Sequence, residues 1–258
     1  MKHKENDFLP LMEKTLQTDR SIYKQMIFLR EITGEIMAGI SRQTLNFLTV
    51  LAVNNDREWF SNNRNLYLRA KEEFEILIGN FIERVSAFEP ILKGLEPSSC
   101  IFRINRDIRF SADKSPYKSH FGALVMRGGR KNIHRFAGYY IHIEPGESKI
   151  AGGAYLPPTP WLTAIREKIA GEPDVFTGII ENKKFRQLFG ELDNDKLKSA
   201  PKGFRADHPY IELLKYKSYL VAKSITDKEV ISMGFPDYAV EIAKTMKPLN
   251  DFLNECAG

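Results

Sequence analysis

Residues 103–118 read Arg-Ile-Asn-Arg-Asp-Ile-Arg-Phe-Ser-Ala-Asp-Lys-Ser-Pro-Tyr-Lys. Arg103, Arg106, Arg109, Lys114 and Lys118 concentrate positive charge in this one stretch. Arginine offers a planar fork of donors that matches phosphate or carboxylate, and lysine offers a mobile point charge. The chemistry these types suit is anion binding, so the five cations are the candidate ligand-binding residues. Asp107 lies among them and is placed to orient the arginines. Ile104, Ile108 and Phe110 sit at alternate positions, which a purely solvated charge run does not need. On an ideal strand Arg103 and Arg109 stand roughly 20 Å apart, so they share one small anion only if the strand bends. The competing reading is structural: an ion network of Arg103, Asp107 and Arg109 with helix acids such as Glu58.

His142 is the candidate general acid or base, because imidazole titrates near neutrality. It shares strand parity with Tyr140, opposite to Tyr139, Ile141 and Ile143. With Asp107 it makes up the candidate catalytic set. A histidine on a wet or helix-covered face is the plainer alternative. His120 directly follows the basic loop, and His208 precedes Pro209 at a helix start. No two histidines have zinc-site spacing and no carboxylate groups with them along the chain, so no metal is expected. Gly152 and Gly153 suit either a close backbone approach or a bend in a strand. No phosphate loop, dinucleotide fingerprint or Gly-x-Ser-x-Gly elbow is present. Ser111 and Ser115 have no visible base. No motif points to a cofactor.

The elements that must position these residues follow from periodicity. Ser41 is a candidate N-cap for a helix with Leu45, Leu48, Val50 and Leu51 on its apolar stripe. Asn54-Asn55-Asp56 breaks it, and Asp56 caps the next helix, which carries Trp59 and Phe60. A long amphipathic helix follows, from Leu66 through Val85, ending before Pro90. The period then changes to two over residues 100–110, which predicts a strand with Arg103, Asn105, Asp107 and Arg109 on its polar face. Arg106 breaks that pattern and is either paired or displaced by a bulge. Further strands are expected over residues 120–127, 136–143 and 149–155. Three to five mostly antiparallel strands therefore lie between about residues 100 and 156. Helical patterns resume at Pro160 and at Pro173, a short helix follows Asp207-His208-Pro209, and the last runs from about Pro236 to Leu253.

Composition bounds the rest. The chain has 258 residues, 43% hydrophobic and 28% charged, with a formal charge of +5. That length buries a sizeable core without disulfides. The mild basic excess permits phosphate-rich partners without requiring them. Cys100 and Cys256 lack metal-ligand spacing and fit a reduced, cytoplasmic setting. No apolar run reaches membrane-spanning length, and no signal-peptide core follows the charged start. Residues 1–36 carry no recognisable chemistry. They are expected to be a poorly anchored, partly helical extension, or upstream translation of a gene starting at Met37. Intact mass of the native protein separates the two.

The stretches 54–60, 103–118 and 138–143 occur together with Gly152-Gly153 and the run 201–217. In this combination the chain resembles the domain of unknown function 2461 family of conserved hypothetical proteins. The resemblance spans about residues 41–250, with one departure at Ala151, where the family often has a third glycine. It implies one fold unit and a cytoplasmic setting, and it implies no particular reaction.

The expected fold is a single α+β domain over residues 37–258. A small, mainly antiparallel sheet is packed by helices from both ends of the sequence. The expected function is a basic pocket for a phosphate-bearing or other anionic small ligand; binding alone and binding with catalysis both fit these residues. The alternative is a nucleic-acid-binding module, with the same cations on phosphates and Tyr117, Tyr139 and Tyr140 available for stacking. A second alternative is that the charges are purely structural. No membrane partner is expected, and the oligomeric state is left open.

Overall fold

Two side-chain caps, Ser41 and Asp56, start the fold at its N-terminal side. The computed structural model describes residues 39–257; the expectation for residues 1–36 falls outside them. Helix α1 spans Arg42–Val53, with the Ser41 hydroxyl accepting from the Thr44 amide at 3.2 Å. Glu73 then accepts from both the Ser41 amide (3.0 Å) and the Thr44 hydroxyl (2.6 Å), tying α1 to a later helix. The buried stripe of α1 is Thr44, Leu45, Phe47, Leu48 and Leu51; Val50, expected on it, is exposed. A period of 3.6 favours Phe47 because it falls one turn before Leu51.

Asp56 caps α2 (Arg57–Asn62) through the Trp59 amide at 2.8 Å. Helix α3 spans Arg64–Val85 and buries Ala70, Phe74, Leu77, Ile78, Phe81, Ile82 and Val85. These positions recur at three and four residues, which puts them on one face. A short α4 (Pro97–Cys100) leads toward the sheet.

The sheet is an antiparallel meander of β1 (Phe121–Val125), β2 (Gly138–Ile143), β3 (Lys149–Ala154) and β4 (Tyr219–Ser224) in that spatial order. Between β3 and β4 the chain forms α5 (Thr159–Gly171), α6 (Pro173–Ile180), α7 (Lys183–Phe189) and α8 (Ile211–Leu214). It closes with α9 (Asp227–Val230) and the long α10 (Phe235–Asn254). The chain therefore has an α+β fold with ten helices among the described residues.

Two expectations need correction here. Residues 102–110 form no strand; only isolated bridges join Ile101 to Ala123 and Asn105 to Tyr117. The segment folds against its own continuation: the Arg106 amide donates to Pro116 (2.9 Å) and the Lys118 amide to Ile104 (2.8 Å). Beyond its start, which touches β1, this narrow ribbon has no neighbouring strand, so cover for its alternating apolar residues runs out toward the tip. Ile104 is buried while Phe110 is 96% exposed. The second correction is β4, which lies outside the interval 100–156 where all strands were expected.

The two sheet faces differ. One carries Phe121, Ala123, Val125, Tyr139, Ile141, Ile143, Ile150, Ala154, Tyr219 and Val221, all buried. Helices α3 and α10 cover it: Phe74 stacks on Phe121 at 5.3 Å, and Phe81 meets Tyr139 edge-on at 6.0 Å. At α10, Asn250 donates to the Gly138 carbonyl (3.3 Å) and Asn254 accepts from the Ala137 amide (2.7 Å). The other face carries Gly122, Leu124, Gly138, Tyr140, His142, Lys149, Ala151, Gly153, Leu220 and Ala222. Half of these residues are glycine or alanine: Gly122, Gly138, Ala151, Gly153 and Ala222.

Candidate functional site

Small residues on the second sheet face leave a hollow above it. A cavity of about 650 Å³ is floored by Gly138, Ala151, Gly152, Gly153 and Ala222. Its walls are Phe102, Leu124, Met126, Ile133, Phe136, Tyr140, Tyr155 and Leu220. Lys118, His120 and Lys149 bring positive or neutral nitrogen donors to it, and Glu191 and Asp193 bring carboxylates. Lys149 begins β3, while the Asp193 amide donates to Leu220, which is paired with Gly153 near the other end of that strand. The basic and acidic groups are thus separated by four residues of strand, about 13 Å.

The polar feature of this face is a line of side chains along β2. Tyr140, His142 and Glu144 alternate with buried apolar residues, so all three stand on one side. The Tyr140 hydroxyl lies 2.9 Å from His142 Nδ1, and His142 Nε2 lies 2.8 Å from Glu144 Oε2. Ser119 donates to Glu144 Oε1 at 2.6 Å. His120 stacks obliquely on His142, ring centres 4.3 Å apart, with Nδ1 3.9 Å from Glu144 Oε2. A Cβ at position 122 would stand 2.8 Å from the Tyr140 hydroxyl, so glycine there leaves room for the tyrosine ring.

Proton positions follow from these neighbours. Burial, reinforced by the charge on Glu144, pushes the Tyr140 phenol up to about 12. Burial also holds His142 below its ordinary value, although the hydrogen bond to Glu144 pulls the other way. Burial and the neighbouring His142 hold His120 down at about 4. Burial raises Glu144, but hydrogen bonds from Ser119 and His142 outweigh it and leave the carboxyl below its usual range. At neutral pH the phenol therefore donates to Nδ1, and the imidazole Nε2–H donates to an ionised Glu144. The network assigns this tautomer.

A second cavity of about 460 Å³ adjoins the first. Asn55, Arg106, Asp107, Asp113, Ser115 and Tyr117 line it, and it shares Lys118 and His120 with the larger cavity. Asn55 holds this wall in place. Its amide donates to the Tyr117 carbonyl (2.9 Å), and its carbonyl accepts from the Tyr117 amide (3.0 Å).

A family model for conserved hypothetical proteins, DUF2461, matches residues 43–252. The chain belongs to this family. No curated protein and no solved structure matches it. Among the described residues of this DUF2461 chain, no helix is long and apolar enough to cross a membrane.

The cations singled out in the DUF2461 sequence are distributed rather than gathered. Arg106 and Lys118 line the second cavity, and Lys118 also lines the first. Arg103, Arg109 and Lys114 line neither. Arg106 pairs with Asp113. Arg109 and Asp107 form a bidentate pair at 2.9 and 2.7 Å, which holds the Asp107 carboxyl below its ordinary value. The Lys114 ammonium donates to the Ile108 carbonyl at 3.0 Å and closes the loop. Glu58 makes no ion pair among the described residues.

His142 is 6% exposed and does not itself line the cavity; it reaches that space through Tyr140. The expectation that no carboxylate accompanies the histidines is corrected by Glu144. The β1–β2 register brings residue 120 beside residues 142 and 144. Of the three tyrosines considered for base stacking, Tyr139 is 0% exposed, and Tyr117 is buried against Phe60 at 3.9 Å. Tyr140 lines the larger cavity and Tyr117 the smaller one.

Sequence reading also passed over Lys149, Phe102 and Phe136. Lys149 shares parity with Ala151 and Gly153 on β3, and that alternation was the available signal. Gly153 has φ +116°, and a Cβ there would lie 1.9 Å from the Tyr219 carbonyl. Close backbone approach between β3 and β4 therefore accounts for it.

Proposed function

We propose that the open sheet face binds a small molecule with an apolar body and one anionic group. The observation that carries this reading is the hollow floored by Gly138, Ala151, Gly153 and Ala222. Aromatic and aliphatic walls suit an apolar body, and few convergent polar groups suit orientation of one end. Lys118 and Lys149 hold the anion, with His120 beside them. Burial and the nearby Arg103 and Arg130 lower the Lys118 ammonium, so an arriving negative charge relieves a strained cation. Glu191 and Asp193 receive a donor or cationic group at the far end. A cytoplasmic setting belongs to this reading and is supported by the free thiols of Cys100 and Cys256.

Arg103, Arg109 and Lys114 are assigned a lesser part, as an outer basic rim that attracts the anion by long-range charge. His142 does not line the cavity and is linked to it by Tyr140.

A thermal-shift screen of the full chain tests this, using fatty acids, aromatic carboxylates, sugar phosphates, nucleotides and short oligonucleotides. A ligand that binds the native state raises its melting temperature. Amphipathic anions should shift it, Ala151→Leu should abolish the shift by filling the floor, and Arg109→Ala should preserve it. A shift lost in Arg109→Ala and kept in Ala151→Leu would move the anion site to the loop. A shift confined to oligonucleotides and fading with salt would replace the pocket with a nucleic-acid surface.

A further inference from the structure

We propose that His120, His142 and Glu144 bind a divalent transition metal between the two cavities. Their donor atoms all lie within 4.8 Å of one another. Zinc binds nitrogen and oxygen ligands at about 2.0–2.2 Å in tetrahedral geometry, so two of its ligands stand about 3.3–3.6 Å apart. His142 Nε2 to Glu144 Oε2 is 2.8 Å, and His120 Nδ1 to the same oxygen is 3.9 Å. For one tetrahedral ion the first gap must widen and the second close, each by roughly half an ångström, which small side-chain rotations supply.

The donor set itself is selective. Two imidazoles and one carboxylate suit zinc, iron and related ions, whereas magnesium and calcium favour all-oxygen sites. Three protein ligands also leave coordination positions open, as catalytic rather than structural sites do.

The surroundings are those that metal ligands need. A ligating histidine commonly donates its other ring N–H to an acceptor, which fixes ring and tautomer. With the metal on Nε2, the His142 proton moves to Nδ1 and is donated to the Tyr140 oxygen 2.9 Å away. Glu144 keeps Oε1 for the Ser119 hydroxyl at 2.6 Å while Oε2 faces the ion. Tyr140 and Ser119 are thus positioning residues. His120 lines both cavities, so the open coordination positions lie where a ligand's anionic group arrives. Metal binding itself does not depend on the identity of that ligand.

The test is equilibrium dialysis of chelator-stripped full-length protein against Zn²⁺, with bound metal counted by mass spectrometry, and Co²⁺ absorption as a second readout. The expected result is one ion per chain and a Co²⁺ spectrum typical of mixed nitrogen and oxygen ligation. His120→Ala should weaken affinity by about tenfold or more, and Tyr140→Phe by about tenfold. The His120 side chain makes no hydrogen bond among the described residues and stacks on His142, so its replacement should leave the fold intact. Circular dichroism checks this. Absence of zinc uptake in the wild type, or uptake equal in His120→Ala and wild type, would overturn the proposal. The latter would assign the ion to other surface histidines such as His134 or His208.

Discussion

The Tyr140 hydroxyl and the His142 Nδ1 lie 2.9 Å apart on one face of β2. With Glu144 at the opposite ring nitrogen, the imidazole is held from both sides. Removing the phenol oxygen leaves a buried nitrogen without its partner. Tyr140→Phe should therefore cost about 1–3 kcal/mol. Urea denaturation measures this, and a loss below about 0.5 kcal/mol would mean that the phenol adds nothing beyond solvent.

Gly153 and Gly146 make a matched pair of substitutions. Both have positive φ, +116° and +78°. A Cβ at 146 meets nothing within 4 Å, whereas one at 153 meets the Tyr219 carbonyl at 1.9 Å. Gly146→Ala should cost about 1 kcal/mol from backbone conformation alone. Gly153→Ala should cost at least about 3 kcal/mol, because β3 and β4 must separate. Equal losses in chemical denaturation would show that contact with β4 is not what selects glycine there.

Glu89 provides the pH dependence. Burial raises its carboxyl above the ordinary 4.5, against the lowering effect of the Tyr139 hydroxyl that donates to it. The folded state therefore holds the Glu89 proton more tightly than the unfolded state. Its stabilising contribution is fully present below pH 4.5 and is lost as pH rises through the folded value. Glu89→Gln keeps an acceptor for Tyr139 without the ionisation. Relative to wild type, the variant should gain stability as pH rises from about 4 to 7. Parallel stability curves across that range would contradict this.

The first described residues anchor to the far end of the chain. The Gly39 amide donates to the Ser232 carbonyl at 3.3 Å, and Ile40 is buried. A chain beginning at Met37 should melt within a few degrees of the full-length protein. Ile40→Ala should lose about 2–5 kcal/mol. A large loss on removing residues 1–36 alone would show that they pack on the fold.

Much of this architecture was legible in local chemistry. Ser41 and Asp56 mark helix starts because their oxygens reach the N–H groups three residues on. The period-two runs marked β1, β2 and β3 to within two residues. They also placed His142 on the face of Tyr140. What escaped depends on tertiary pairing. Glu144 reads as a turn residue beside Pro145 and Gly146, so its carboxylate was not counted with His142. Tyr140, His142 and Glu144 nevertheless alternate, and three polar side chains at period two are a signal in themselves. The alternation around Arg106 predicted a strand, but no strand lies beside that segment. Asp113 and Asp107 pair with its arginines instead, and Phe110 is left in solvent. β4 is six residues long and follows an apolar run that reads as helix. Only its partner, β3, identifies it.

The late arrival of β4 has a consequence for how the protein is made. The β1–β3 meander closes over short connections, whereas β4 joins only after residues 155–218 have been synthesised. Closing so long a loop is slow, because its entropy is lost before any pairing compensates. Until then β3 presents an unpaired edge to other chains. The nascent sheet also lacks Leu220 and Ala222, which complete one side of the large cavity. The cavity proposed to bind a small molecule is therefore complete only once β4 has joined β3.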